Sequence, residues 1–208
     1  ADTTGTRRGI LRGDFGMSLM KRGQSAWEVI WDRVPNTLLL MVTAEVVIIV
    51  FALLIGIFSA LRQYSLADHV ITAVSFIGYS TPIFFFALLS IYIFSVNFKR
   101  WGLPSLPAVG MFDPQVGRTV GQVALHMILP VMTIAFVSIA AYSRYIRSTM
   151  LEVLNQDYIR TARAKGLRNR YILFVHALKN AALPIVTLLG LDLALLLGGA
   201  LVQERIFA

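Results

Sequence analysis

The chain has 208 residues, 57% of them apolar and only 14% charged, where a soluble domain carries roughly 25% charged residues, so a water-soluble globule is excluded in favour of a membrane protein. The formal charge of +8 does not describe a nucleic-acid surface, because Arg144 to Lys179 hold eight of the nineteen Lys and Arg against only Glu152 and Asp157. Basic residues gathered in one segment between apolar spans are the positive-inside signature, and the absence of cysteine excludes disulfides, thiol catalysis and Cys-based metal sites.

The sequence opens on Ala1 without an apolar h-region, so no signal peptide is expected. Residues 1–36 hold six basic and four acidic residues and read as a loop segment. Four runs then have the roughly 20 apolar residues that cross a hydrocarbon core: 37–61, 70–98, 123–142 and 182–202. Each must be a helix, since an isolated strand would leave its amides unpaired in lipid. The expected fold is therefore all-α, a polytopic transmembrane helical bundle with four spans. Pro82 in the second run and Pro130 in the third remove helix hydrogen bonds and are expected to kink their spans. Gly190, Gly198 and Gly199 in the fourth permit close helix approach.

Orientation follows from charge. With 144–181 in the cytoplasm, 99–122 lies outside, 62–69 is an inside turn and the first 36 residues lie outside. An outside start implies a further helix upstream. The loop after the second run, with Gly102, Pro104, Pro107 and Gly110, blocks regular helix, and Trp101 suits the interfacial aromatic belt.

Within the basic segment, Ile146, Met150, Val153, Leu154 and Tyr158 recur at spacings of three and four. That places them on one face of a helix continuing the third span, with an apolar face that needs a partner. Ile159, Arg160, Thr161, Ala162, Arg163, Ala164 and Lys165 form a short run of helix formers, stopped at Gly166, where a left-handed residue reverses the chain at no Cβ cost. Ala162 and Ala164 keep part of the surface thin. The reading is a helix–turn–helix finger, basic around its tip, suited to docking in a groove of a soluble partner.

At these residues the chain resembles the permease subunits of ABC importers, in the dipeptide/oligopeptide/nickel branch. The general importer signature is Glu-Ala-Ala, three residues, Gly, nine residues, then Ile-x-Leu-Pro; here Ala162, Gly166 and Leu178 match, while Arg160 and Lys179 replace its Glu and Pro. The peptide branch carries D-Y-[VI]-R-T-A-R-A-K-G-L, and Asp157, Tyr158, Ile159 and the residues on to Leu167 match it throughout. Further resemblance lies in Gly13-Asp14-Phe15-Gly16 with Ser18, Pro35-Asn36-Thr37, Ser80-Thr81-Pro82-Ile83-Phe84, Leu129-Pro130, Arg144, Arg147-Ser148, Met150-Leu151-Glu152-Val153, Gly198-Gly199, Glu204 and Ile206-Phe207. The family usually has six spans, which implies that a first and a last span lie beyond these 208 residues.

The resemblance implies a subunit without enzymatic activity, and no G-x-x-x-x-G-K-[ST] phosphate loop occurs in the sequence. It implies no cofactor bound directly, with ATP and magnesium held by two partner ATPase subunits. Each ATPase would grip one finger, the coupling helix, here Asp157, Tyr158, Arg160, Thr161, Ala162, Arg163, Ala164, Lys165, Gly166 and Leu167. The other implied partners are a second homologous permease, an extracytoplasmic peptide-binding protein and membrane lipid, with no nucleic acid, in the inner membrane. Nickel or glutathione import belongs to the same branch, and an ATP-independent transporter or channel is the different-class alternative.

Two acids fall inside spans, Glu45 and Asp192. Intramembrane acids usually face a cavity or a partner, so both are candidates for the substrate pathway or for an interhelical hydrogen bond. His69, His126 and His176 have no ligand spacing, and no metal site is expected.

Overall fold

A computed structural model of the chain describes residues 15–18, 21 and 23–207, the side chains of 193–205 excepted. Two compact units divide it, the first ending at Leu39 and the second beginning at Leu40.

In the first unit, the described residues make a short reversal ahead of helix α1, Ala26–Leu61. Met17 and Ser25 form an isolated antiparallel bridge. The Ser25 hydroxyl accepts the Trp27 N–H at 3.2 Å, and the Glu28 carboxylate accepts the Ser25 N–H at 3.3 Å. That reciprocal pair is a capping box. Phe15 stacks on Trp27 at 5.2 Å, and Trp27 meets Trp31 edge-on at 5.3 Å. The helix therefore starts at Ala26 and passes through Pro35, so 26–36 are helical where the sequence reading places loop. Gly13 and Asp14 lie outside the described residues.

In the second unit, α1 buries Leu40, Ala44, Ile48, Ala52 and Ala60, while Val42, Val46, Val50, Leu54 and Phe58 are exposed. Both stripes repeat every four residues and both are apolar. Size separates them: mostly small residues face the neighbouring helix and large ones face outward, as close packing of helices in lipid requires. Gly56 is the closest point. A Cβ there would lie 2.7 Å from Ile146 Cγ2 and 2.8 Å from the Ser143 carbonyl oxygen. Because that oxygen is backbone, Gly56→Ala is expected to lose about 1–3 kcal/mol by overpacking; a lowered unfolding midpoint in detergent checks it.

The second apolar run is two helices, not one kinked span. Helix α2, Leu66–Ser80, ends at Thr81, whose backbone is extended; α3, Ile83–Arg100, follows Pro82. A proline disfavours helical backbone in the residue before it, and the extended Thr81 is the last residue tied to α2, bonding Ile77 O through its hydroxyl at 2.7 Å. Helix α3 widens into a π-turn stretch over Ile91–Asn97. Pro130 instead lies inside one continuous helix, α4, Val120–Leu154. Between α3 and α4 the loop packs back, with Leu106 N–H bonded to Phe94 O and Gly110 N–H to Phe207 O, both at 3.0 Å. Leu106 and Phe94 pack there against a small core of Ala87, Leu129 and Phe207.

After the short helix α5, Asp157–Ala164, the chain rises as α6, residues 169–207. Among the described residues four helical stretches are long and apolar enough to cross a membrane: Ala26–Leu61, Ile83–Arg100, Val120–Leu154 and Asn169–Asp192. The bundle is helical as expected, with every span shifted or lengthened. Among the described residues no atom lies within 4 Å of a Cβ placed on Gly190, so none of them makes a close crossing there; the surroundings of Gly198 and Gly199 lie outside the described residues.

Candidate functional site

The site grows from the end of α4. Ile146 and Met150 are fully buried there, and Val153 and Leu154 pack on the same core, so the face expected to need a partner finds it within the chain. Asn155 caps the helix by bonding Leu151 O with its side chain at 2.9 Å. Gln156 is extended, and α5 begins at Asp157.

Helix α5 has a sharply divided surface. Ile159 is 0% exposed and Ala162 7% exposed, both in the core with Ile146, Met150, Ile172 and Ala177. Tyr158, Arg160, Thr161, Arg163, Ala164 and Lys165 are exposed. Ala162 therefore serves the chain's own packing, and Ala164 alone of the two alanines thins the outer surface. Thr161 bonds back to Asp157 O at 3.0 Å. Arg160 pairs with Asp157 at 3.4 Å, an exposed contact worth little to stability. The Tyr158 hydroxyl accepts from Asn180 Nδ2 at 3.1 Å, tying α5 to α6.

The helix ends in a Schellman motif. Leu167 N–H bonds Ala162 O at 3.3 Å, Gly166 N–H bonds Arg163 O at 3.0 Å, and Gly166 has φ +73°. These two bonds satisfy carbonyls that a helix end otherwise leaves open. Among the described residues no atom would touch a Cβ on Gly166, so within this chain its requirement for glycine is conformational. The chain leaves through Arg168, and a π-turn stretch over Ile172–Ala177 opens α6. The widened turn puts Ile172 and Ala177, five residues apart, on the buried side.

A second cluster braces this region. Arg147 on α4 holds Asp68 at the start of α2 by a two-pronged pair, Nε to Oδ1 at 2.8 Å and Nη2 to Oδ2 at 2.7 Å. The Ser59 hydroxyl also donates to Asp68, and Tyr64 N–H donates to Oδ2 at 2.9 Å. Asp68 is 2% exposed. The Arg147 guanidinium, with Ser59 and the Tyr64 amide, holds its carboxyl well below the usual carboxylate range against the opposing effect of burial. The sequence reading placed one of these positions in the 62–69 turn and the other in the Arg147-Ser148 pair, without joining them.

Of the two intramembrane acids, Asp192 accepts a hydrogen bond from Tyr142 on α4. Glu45 is 5% exposed, and neither of its carboxyl oxygens has a hydrogen-bond partner among the described residues. Glu45 lies in the packed interior of the second unit, and the half-buried Asp192 makes an interhelical contact.

The family model described as "binding-protein-dependent transport system inner membrane component" matches residues 52–208. The chain is 42% identical over 198 residues to the oligopeptide transport system permease protein AppB of Bacillus subtilis, covering 95% of this chain and 61% of that protein. It is 38% identical to the di/tripeptide transport system permease protein DppB of Pseudomonas aeruginosa, covering 96% and 63%. Against the dipeptide transport system permease protein DppB of Escherichia coli K12 it is 37% identical over the same shares. The chain thus spans about three-fifths of the length of these relatives. With membrane-length helices, a glycine-capped basic turn and a family match over most of its residues, the chain belongs to the binding-protein-dependent transport system inner membrane components.

Proposed function

We propose that this chain is part of a permease subunit of an ATP-driven importer of di- or oligopeptides, forming the translocation path together with a second, homologous permease. The observation that carries this reading is helix α5. It shows Tyr158, Arg160, Thr161, Arg163, Ala164 and Lys165 outward, roots itself through Ile159 and Ala162, and is closed by Gly166. A small protruding helix with a buried root transmits a push from outside into the packed helices it is rooted in. Two ATPase subunits on the cytoplasmic side would grip such turns, one per permease. ATP and magnesium would sit on those subunits, and this chain would bind no cofactor and catalyse nothing itself. ATP-driven closure would bias the spans between inward-open and outward-open arrangements, a population shift driven by differential binding.

Peptide cargo is supported by the oligopeptide and dipeptide systems named for the relatives, and an extracytoplasmic peptide-binding protein would deliver it. Exposed Val42, Val46, Val50, Leu54 and Phe58 on α1 suit lipid or the second permease. Glu45 is buried here, so a role for it in the path would need the helices to part, whereas Asp192 is half-buried and held by Tyr142.

The assembled complex in proteoliposomes tests the reading. Peptide uptake is expected only with ATP and both ATPases present; uptake driven by an ion gradient alone would make the chain a secondary transporter.

A further inference from the structure

A cleft of about 660 Å³ opens beside the basic turn, where the ends of α1 and α4 meet α5 and the start of α6. Its apolar wall includes Leu61, Leu154, Leu173 and Phe174, and its polar part includes Arg163 and Arg170. Leu61 is 53% and Phe174 59% exposed, large apolar surface next to two guanidiniums. Among the described residues no acidic side chain lines the cleft. The ion pairs found among the described residues, Arg147–Asp68 and Arg160–Asp157, involve neither Arg163 nor Arg170.

We propose that this cleft is a binding site for an anionic phospholipid, its phosphate held between Arg163 and Arg170 and its upper acyl chains laid on Leu61, Leu173 and Phe174. Leu61 is the last residue of one membrane-length helix, and Leu173 and Phe174 lie in the first turns of another. Under this assignment these helix ends lie at headgroup depth. Basic pockets between helix ends on the cytoplasmic side favour anionic lipid, with each arginine contributing about five-fold in affinity. The guanidinium fork matches phosphate oxygens in pairs. A soluble protein partner would meet the outer face of α5 first, where Arg160 and Lys165 are exposed beside Tyr158 and Leu167. The bound lipid would brace the root of the coupling turn against the bilayer. This assignment does not depend on what the transporter carries.

The test uses the full-length permease within its assembled transporter, in phosphatidylcholine nanodiscs with trace spin-labelled phosphatidylglycerol or phosphatidylcholine. The wild type is expected to immobilise the anionic probe preferentially. Arg170→Ala should cut that preference about five-fold, Arg170→Lys should keep most of it, and Lys179→Ala should leave it unchanged. Equal immobilisation of the two probes would overturn the proposal. So would a preference that survives Arg170→Ala combined with Arg163→Ala. Displacement by millimolar inorganic phosphate would make the site one for free anion. A preference present in the permeases alone but lost on adding the ATPases would assign the cleft to a protein partner. The readout is lipid binding, so a failure of peptide import leaves this result standing or falling by itself.

Discussion

Asp68→Ala is expected to lower the stability of the folded chain by about 3 kcal/mol, read as the unfolding midpoint of the purified protein in detergent. Breaking a buried pair from one side costs about 3–5 kcal/mol because the remaining charge is stranded. The lower figure applies because Arg147 is 25% exposed and can turn toward water, whereas Asp68 is 3% exposed. Alanine also removes the acceptor for Ser59 and for the Tyr64 amide. Asp68→Asn should fall between, keeping shape and some hydrogen bonding while losing the charge. Arg147→Ala combined with Asp68→Ala should cost less than the sum of the two single changes, as a coupled pair requires. The pH dependence has a definite sign. The folded carboxyl titrates below its ordinary value near 3.9, so its stabilisation is complete above that value and is lost as pH falls toward the folded pKa. The gap between wild type and Asp68→Asn should therefore be flat from about pH 5 to 8 and narrow only below about pH 4. A gap that grows on acidification would contradict the assignment.

Gly166→Val is expected to lower ATP-dependent peptide uptake by about ten-fold or more while the protein still inserts and folds. The turn sits at φ +73°, where L-residues are strained by about 1–2 kcal/mol and β-branched ones by more. That strain is enough to shift α5 off its capped geometry by about a factor of ten. No described atom of this chain lies within 4 Å of a Cβ there, so a clash inside the chain cannot be the cause of any effect. Gly166→Asn is therefore the informative comparison: asparagine tolerates the left-handed region and should retain most uptake. Equal loss in both variants would mean that glycine is needed there for a partner's close approach. Normal uptake by the valine variant would mean that this turn is not the coupling element.

The sequence was most legible where polarity changes. The four spans, the continuation of α4 past the membrane and the stop at Gly166 all follow from apolar length, spacing and a glycine. The misses share one cause. Inside lipid both faces of a helix are apolar, so hydropathy cannot say which face of α1 is buried; the alternation of Ala44, Ala52 and Gly56 with Val42, Val46 and Leu54 does. The start of α1 was written in Ser25 and Glu28, but Pro35 and the charges around it suggested loop. A proline disfavours helix in the residue before it at both Pro82 and Pro130, yet the chain breaks at the extended Thr81 and α4 runs on through Leu129; apolar length alone does not tell the two apart. The Asp68–Arg147 clasp joins positions 79 apart in sequence, and one sequence offers no local signal for such a pairing.

Helix α4 runs unbroken for 35 residues from Val120 to Leu154, a rod of about 50 Å at 1.5 Å per residue. A rod of that length converts small angles into useful travel: a tilt of about 5° about one end moves the other by about 4 Å. Its end at Leu154 is clamped to the α1–α2 turn by Arg147 and flanked by α5, so under the proposed coupling a modest push at Gly166 would be delivered at the far end of the rod with mechanical gain. The one missing hydrogen bond at Pro130 is where such a rod gives first.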